Sequence, residues 1–254
     1  GEKAGIIKTG VPVVYNTGSI EADTVIRSRA EALAAEAINV ANVEYIIDEI
    51  TDKTIDFSMN NRYYSYNGLR LDSVATYQVD NAVTAITACE VLLGRQLAQE
   101  KIQLALDAFF WPGRMEKLAD NIIIDGAHNV SAIERFTESV NAGYADYKKT
   151  LLFAVAGDKD YEPMIAYLMQ NLDVESVYVT SLDSDRAISA EYIAALFRDC
   201  AKKVERVVHV YADNDIRGCF AEAYASVEAH GGVLFGVGSL YLIGKIKDIW
   251  EETV

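Results

Sequence analysis

The second half of the chain sets the strongest constraint on its fold. Short β-branched or apolar runs stand at 121–125 (NIIID), 150–155 (TLLFAV), 175–180 (ESVYVT), 205–211 (ERVVHVY) and 233–237 (VLFGV), and helix-like stretches at 130–142, 161–171, 189–202 and 214–229 separate them. Strict strand–helix alternation requires right-handed crossovers and a mostly parallel sheet covered on both faces. The segment from 117 to 254 is therefore expected to form a doubly wound, Rossmann-like α/β domain. Ligands of such domains collect at the carboxyl ends of the strands. There the chain reads DGAHN, GDKD, SLDSDR and GVGSLYL.

The first half is less regular. VPVVYN reads as a strand, 22–37 as an Ala-rich helix, and 43–75 as a hairpin series with its turns at Asn60-Asn61 and Asn67-Gly68. Residues 77–93 are apolar nearly all round a helical projection, which predicts a buried helix. An amphipathic stretch at 98–110 leads to Pro112 and Gly113, a plausible boundary. The expected division is 1–112, pieces of a sheet lacking a full partner layer, and 113–254. An uncovered sheet of this kind predicts loose packing or a dimer formed through it.

Charge narrows the function. With 38 acidic against 23 basic residues, net charge −15, the field opposes nucleic acid and anionic membrane surfaces as partners. Any anionic ligand has to be held by a few local cations or backbone amides. Cys89, Cys200 and Cys219 are scattered outside metal or redox spacings, and no apolar run is long enough to span a membrane, so a cytoplasmic location is expected.

The candidate chemistry sits at the strand ends. Arg114 in WPGR is either a surface residue after a turn or a planar fork for phosphate or carboxylate. Asp125 either caps the next helix or meets a ribose hydroxyl. His128 is either structural or poised toward a substrate anion, whereas His209 and His230 read as structural or solvated. Ser239 is by default the N-cap of the last helix, and the same geometry offers free N–H groups to an anion. The phosphate loop G-x-x-x-x-G-K-[ST] does not occur in these residues, the Gly244-Lys245 pair being followed by Ile.

Taken in order, EKAGIIKTGVPVV (2–14), YQVDNAVTAI (77–86), WPGRME (111–116), DGAHN (125–129), GDKD (157–160) and GSLYLIG (238–244) resemble the folylpolyglutamate synthase and dihydrofolate synthase family of the Mur ligase superfamily. The likeness runs along the whole chain but only over the carboxyl-terminal part of the family's length. It implies that 1–112 is an incomplete remnant of the central ATP-binding domain and 113–254 the carboxyl-terminal ligase domain. It implies an ATP- and Mg2+-dependent ligase that joins L-glutamate to dihydropteroate or folate through an acyl phosphate. With the phosphate loop and metal ligands outside these residues, the chain is expected to be inactive alone and to bind ATP and Mg2+ weakly.

Residue by residue, the resemblance gives Asn81 and Arg114 as ATP contacts, Asp125 near the ribose, and His128 and Ser239 near the incoming glutamate, with Lys159 and Asp160 at the same edge. Asn81 also reads as the cap of a buried helix. Lys3 resembles a lysine whose carbamate helps hold magnesium, a form that needs cations beside it. Here it is expected to be unmodified and mobile, which makes the opening stretch an interior seam of the family's fold. Val130 departs from the family's Pro after HN, a change confined to the first helical turn. Two other readings stand beside this one: a freestanding nucleotide or amino-acid binding module, and a Mur-type cell-wall ligase, against which WPGRME with GSLYL argues.

Overall fold

The computed structural model describes residues 2–61 and 63–253. The chain divides into two compact units, Gly1–Phe109 and Phe110–Val254.

In the first unit a short 3-10 turn, Lys3–Ile6, precedes β1 (Val13–Tyr15), α1 (Ile20–Ala32) and β2 (Ala37–Asn39), with β1 and β2 paired in parallel. The helix expected over 22–37 thus ends early. Ala34 takes a left-handed φ of 51°, and the last residues of the Ala-rich run pair with β1 instead. Strand pairing overrides helix propensity there.

Next come β3 (Glu44–Ile50), β4 (Ile55–Asn60) and β5 (Ser65–Leu71), an antiparallel sheet in that order. Between these strands Thr51 N–H donates to Thr54 C=O at 2.9 Å and Asn61 N–H to Tyr64 C=O at 3.0 Å, and Asn67-Gly68 lies inside β5 rather than in a turn. The register shifts between Phe57 and Met59, and Gly68, at φ 64°, donates its N–H to Ser58 Oγ at 3.0 Å, a bulge inside β5.

Helix α2 (Tyr77–Leu93) covers one face of this sheet, and α3 (Gln99–Asp107) follows. Gln78, Val79, Ala82, Val83, Ile86, Thr87 and Glu90 are buried. Leu92 is 83% exposed, so the expectation of burial all round is corrected. A helix lying on one sheet face buries a single stripe, whatever the composition of the rest.

Inside this core Glu90 is buried, accepting from Asn61 Nδ2 and, at 2.5 Å, from the Tyr66 hydroxyl. Asn61 Oδ1 in turn accepts the N–H groups of Tyr63 and Tyr64, each at 2.8 Å, which shapes the turn between β4 and β5.

The second unit contains β6 (Glu116–Ala119), β7 (Ile122–Asp125), α4 (Val130–Gly143), β8 (Lys149–Phe153), α5 (Tyr161–Asn171), β9 (Ser176–Val179), α6 (Ala190–Lys203), β10 (His209–Ala212), α7 (Ile216–His230), β11 (Val233–Val237) and α8 (Leu240–Glu251). The strands form one sheet in the order β10-β9-β8-β11-β7-β6, parallel except for β6 at one edge. This is the expected doubly wound architecture.

Every residue of β7, β8, β9 and β11 is buried, as a sheet covered on both faces requires. One face, with Ile122, Ile124, Leu152 and Leu234, packs on Phe220 and Ala223 of α7 and Leu242 and Ile246 of α8. On the other, Phe235 meets Phe136 and Tyr144 edge-on, and Phe153 meets Phe197.

The strand expected at 205–211 is shorter than its β-branched run. Glu205 has φ 55° and Arg206 N–H donates to Ala201 C=O at 3.0 Å, so 205–208 closes α6, and Val207 is 91% exposed. The antiparallel edge strand β6, with the sequence EKLA, carried little strand propensity.

Candidate functional site

Strand β11 lies between β8 and β7, so the chain order reverses at this point of the sheet, the edge at which ligands of doubly wound domains collect. Three segments meet there. Gly126 N–H donates to Gly113 C=O at 2.8 Å, and Gly238 N–H donates to Ala127 C=O at 3.1 Å. These bonds tie the WPGRM turn, the DGAHN loop and the end of β11 together. At Gly238, φ 113°, an added Cβ would stand 2.5 Å from the Ala154 carbonyl oxygen, so glycine is required for β11 to approach β8.

Arg114 projects from this turn and is half-buried. Among the described residues it has no hydrogen-bond or ion-pair partner, although its fork carries five N–H donors. A guanidinium of this kind has its donors free for a carboxylate or phosphate.

Asp125 is buried, with Oδ2 accepting Met115 N–H at 2.9 Å and Oδ1 accepting Ala127 N–H at 2.8 Å. It does not cap α4. That task belongs to Asn129, whose Oδ1 accepts Ala132 N–H at 2.9 Å, and Val130 takes the first helical position. Any ribose contact by Asp125 has to be made by an oxygen that already accepts a backbone amide.

His128 is half-buried, and its Nδ1 lies 2.8 Å from Gly126 C=O. Since a carbonyl only accepts, Nδ1 carries a proton in this contact, which leaves Nε2 as the acceptor of the neutral tautomer. Ser239 is buried and caps α8, its Oγ accepting Tyr241 N–H at 3.2 Å. The default reading of Ser239 holds, and the α8 start lies at the same strand ends as Arg114 and His128.

Further along this edge, Lys159 lies 3.8 Å from Asp158, and Asp160 precedes α5 without a side-chain cap bond. Arg186 was not singled out from the sequence. It donates to Asp158 Oδ2 at 2.9 Å and stands over the Tyr241 ring, 6.0 Å from its centroid. Burial raises the Asp158 carboxyl, and the Arg186 hydrogen bond and charge, with Lys159, outweigh it, leaving it below the ordinary carboxylate value. Arg186 sits in the irregular 181–189 segment, where no periodicity marks it.

The other two candidates lie in the first unit. Asn81 is exposed inside α2, donating to Gln78 Oε1 at 2.7 Å, while Thr76 takes the N-cap position. The helix-cap reading of Asn81 is therefore withdrawn. Lys3 opens the first 3-10 turn and is exposed. Among the described residues no group of three His, Cys, Asp or Glu side chains is placed to hold a metal ion, and no helix is long and apolar enough to cross a membrane.

A sheet of this kind, with loops converging at its topological switch point, defines a doubly wound α/β domain. The family model described as Mur ligase, glutamate ligase domain, matches residues 113–239, and the chain belongs to that family. It is 32% identical over 197 residues to the dihydrofolate synthase/folylpolyglutamate synthase of Bacillus subtilis, covering 75% of this chain and 45% of that protein. Against the dihydrofolate synthetase of Saccharomyces cerevisiae it is 27% identical over 189 residues, 68% of this chain and 42% of the other.

The fold matches Mycobacterium tuberculosis folylpolyglutamate synthase, solved as a complex with ADP, with a TM-score of 0.83 at 23% identity, over 98% of this chain and 58% of that one. It also matches E. coli FolC, solved with DHPP and ADP, with a TM-score of 0.79 at 19% identity, over 99% and 56%. The chain thus spans about half the length of the relatives it matches.

Proposed function

We propose that this chain contributes the glutamate-accepting domain and part of the nucleotide contacts of an ATP-dependent ligase that joins L-glutamate to a dihydropteroate or folate carboxylate. The observation that carries this reading is the half-buried Arg114 guanidinium, without a partner among the described residues, at the strand-end edge of a Mur ligase domain. Bound ATP would supply the phosphoryl group that activates the acceptor carboxylate.

Arg114 meets the phosphate charge, which a planar fork does bidentately. The first N–H groups of α8, beyond Ser239, receive an anionic group of the ligand. His128, with Nδ1–H fixed on Gly126, offers Nε2 to take a proton from the attacking amine as the amide bond forms and phosphate leaves. Arg186 and Lys159 add positive charge along the same edge.

In the other unit Asn81 is assigned to the nucleotide. Lys3 is assigned to the metal only as its carbamate. Among the described residues no group of carboxylate, imidazole or thiol side chains is placed to hold magnesium. Activity on a folate, a cytoplasmic location and association of two copies through the first unit belong to the same proposal.

The test is titration of Mg-ADP into the 15N-labelled chain. Shifts at Gly113, Arg114, His128 and Ser239 are expected, with weak affinity. These residues without a phosphate loop should not turn over ATP, glutamate and dihydropteroate by themselves. Low-micromolar binding would favour the freestanding module, and no shift at the Arg114 turn would remove the assignment.

A further inference from the structure

We propose that Glu116, held by Lys247 of α8, is a positioning residue that fixes the backbone beside Arg114 and so aims its guanidinium. The inference rests on the reading of Arg114 as a phosphate contact.

The backbone around Arg114 is not where side chains place themselves. Gly113 has φ 68°, and Met115, which carries a side chain, has φ 47°, so Arg114 stands between two left-handed residues. Such a conformation persists only when its surroundings enforce it. Three bonds do so. Glu116 Oε2 accepts Gly113 N–H at 2.6 Å, Asp125 Oδ2 accepts Met115 N–H at 2.9 Å, and Gly113 C=O accepts Gly126 N–H at 2.8 Å. Helix α8 presses on the same turn, since a Cβ at Gly113 would lie 2.4 Å from Ile243 Cδ1.

Glu116 joins the turn to that helix. It is 8% exposed, and its second oxygen, Oε1, accepts from Lys247 Nζ at 2.7 Å. An ion pair with one partner buried is a poor device for stability alone, because apolar residues of similar volume often serve as well. Here one carboxylate oxygen takes the lysine and the other holds the amide immediately before Arg114. An apolar replacement loses the second function. Asp125 holds the far side of the turn, so the two buried carboxylates hold the N–H groups of the residues on either side of one arginine.

The test compares Mg-ADP affinity of the whole chain, by calorimetric titration, with urea stability read from tryptophan fluorescence. Both tryptophans, Trp111 and Trp250, lie in the second unit. Arg114→Ala should weaken binding about tenfold, the loss expected for one charge-assisted contact. Glu116→Met should weaken it several-fold with Arg114 intact, and adding Arg114→Ala should then cost little more.

The charge swap Glu116→Lys with Lys247→Glu should recover stability but not affinity, because lysine cannot accept the Gly113 N–H. Recovery of both would reduce Glu116 to an ordinary ion-pair partner and overturn the inference. If Glu116→Met fails to fold, Lys247→Met carries the test: it keeps the amide acceptor, frees its orientation and should still weaken binding. Wild-type affinity in the Glu116 and Lys247 variants, with Arg114→Ala impaired, sinks the positioning role alone. Unchanged affinity in Arg114→Ala sinks the phosphate reading beneath it.

Discussion

The two units of this chain reach stability by different routes. In Phe110–Val254 the central strands are buried at every position, and the buried Asp125, Thr180 and Ser239 lie at or just beyond strand ends. In Gly1–Phe109 strand β3 exposes most of its residues, Ile46 being 68% exposed, and a carboxylate network around Glu90 lies in the middle of the core. A sheet covered on both faces has room for errors at its rim, where a site can be built. A sheet covered on one face depends more on the few contacts that hold its covering helix.

The largest expected effect tests the covered sheet. Phe235→Ala removes a fully buried ring packed edge-on against Phe136 and Tyr144 and should cost about 3–5 kcal/mol. Urea unfolding followed by tryptophan fluorescence reads it directly, since both tryptophans are in this unit. Ile46→Ala on β3 should cost no more than about 0.5 kcal/mol. A loss for Ile46→Ala approaching that of Phe235→Ala would mean that β3 is covered in solution, as by a second copy of the chain.

The next effect separates the units. Glu90→Ala leaves Asn61 Nδ2 without its buried acceptor and the Tyr66 hydroxyl with only the long bond to Leu97 C=O at 3.4 Å, and should destabilise the first unit by roughly 3 kcal/mol. Hydrogen exchange at the amides of β4 and β5 should accelerate while the tryptophan transition stays in place. If that transition moves by the same amount, the two units unfold as one body and the contrast between them is wrong.

Much of the second unit was legible in the sequence because a parallel sheet buried on both faces writes its strands as continuous apolar runs. That same rule misread 205–208, where Val207 and its neighbours look like strand but close α6 beside Glu205 in a left-handed conformation. In the first unit Asn67-Gly68 has the composition of a turn and forms a bulge, which only the register of β4 against β5 reveals. The site divides in the same way. Arg114, His128 and Ser239 stand out because loops at strand ends are where chemistry is expected. Glu116 and Lys247 are 131 positions apart, and nothing local in either segment announces the other. Asp125 was recognised as important, but its two backbone bonds belong to tertiary geometry and could not be read from DGAHN.

The smallest effect is a pH dependence confined to the first unit. Burial, and then the hydrogen bond to the Glu90 carboxylate, push the Tyr66 hydroxyl up to about 12 from its ordinary value of 10.0. The folded state therefore binds the phenolic proton more tightly than the unfolded chain does. Its contribution is fully present below pH 10 and declines as pH rises through 12. Tyr66→Phe removes both the proton and the bond to Glu90, so it should be less stable than wild type at neutral pH by an amount that does not change until pH 10. Above that the gap should narrow, because only the wild type loses stability through this group. Exchange protection in β4 and β5, compared between the two proteins across this range, measures the gap. A constant gap through pH 12 would mean that Tyr66 ionises as an ordinary phenol, and that Glu90 holds the first unit together without help from that proton.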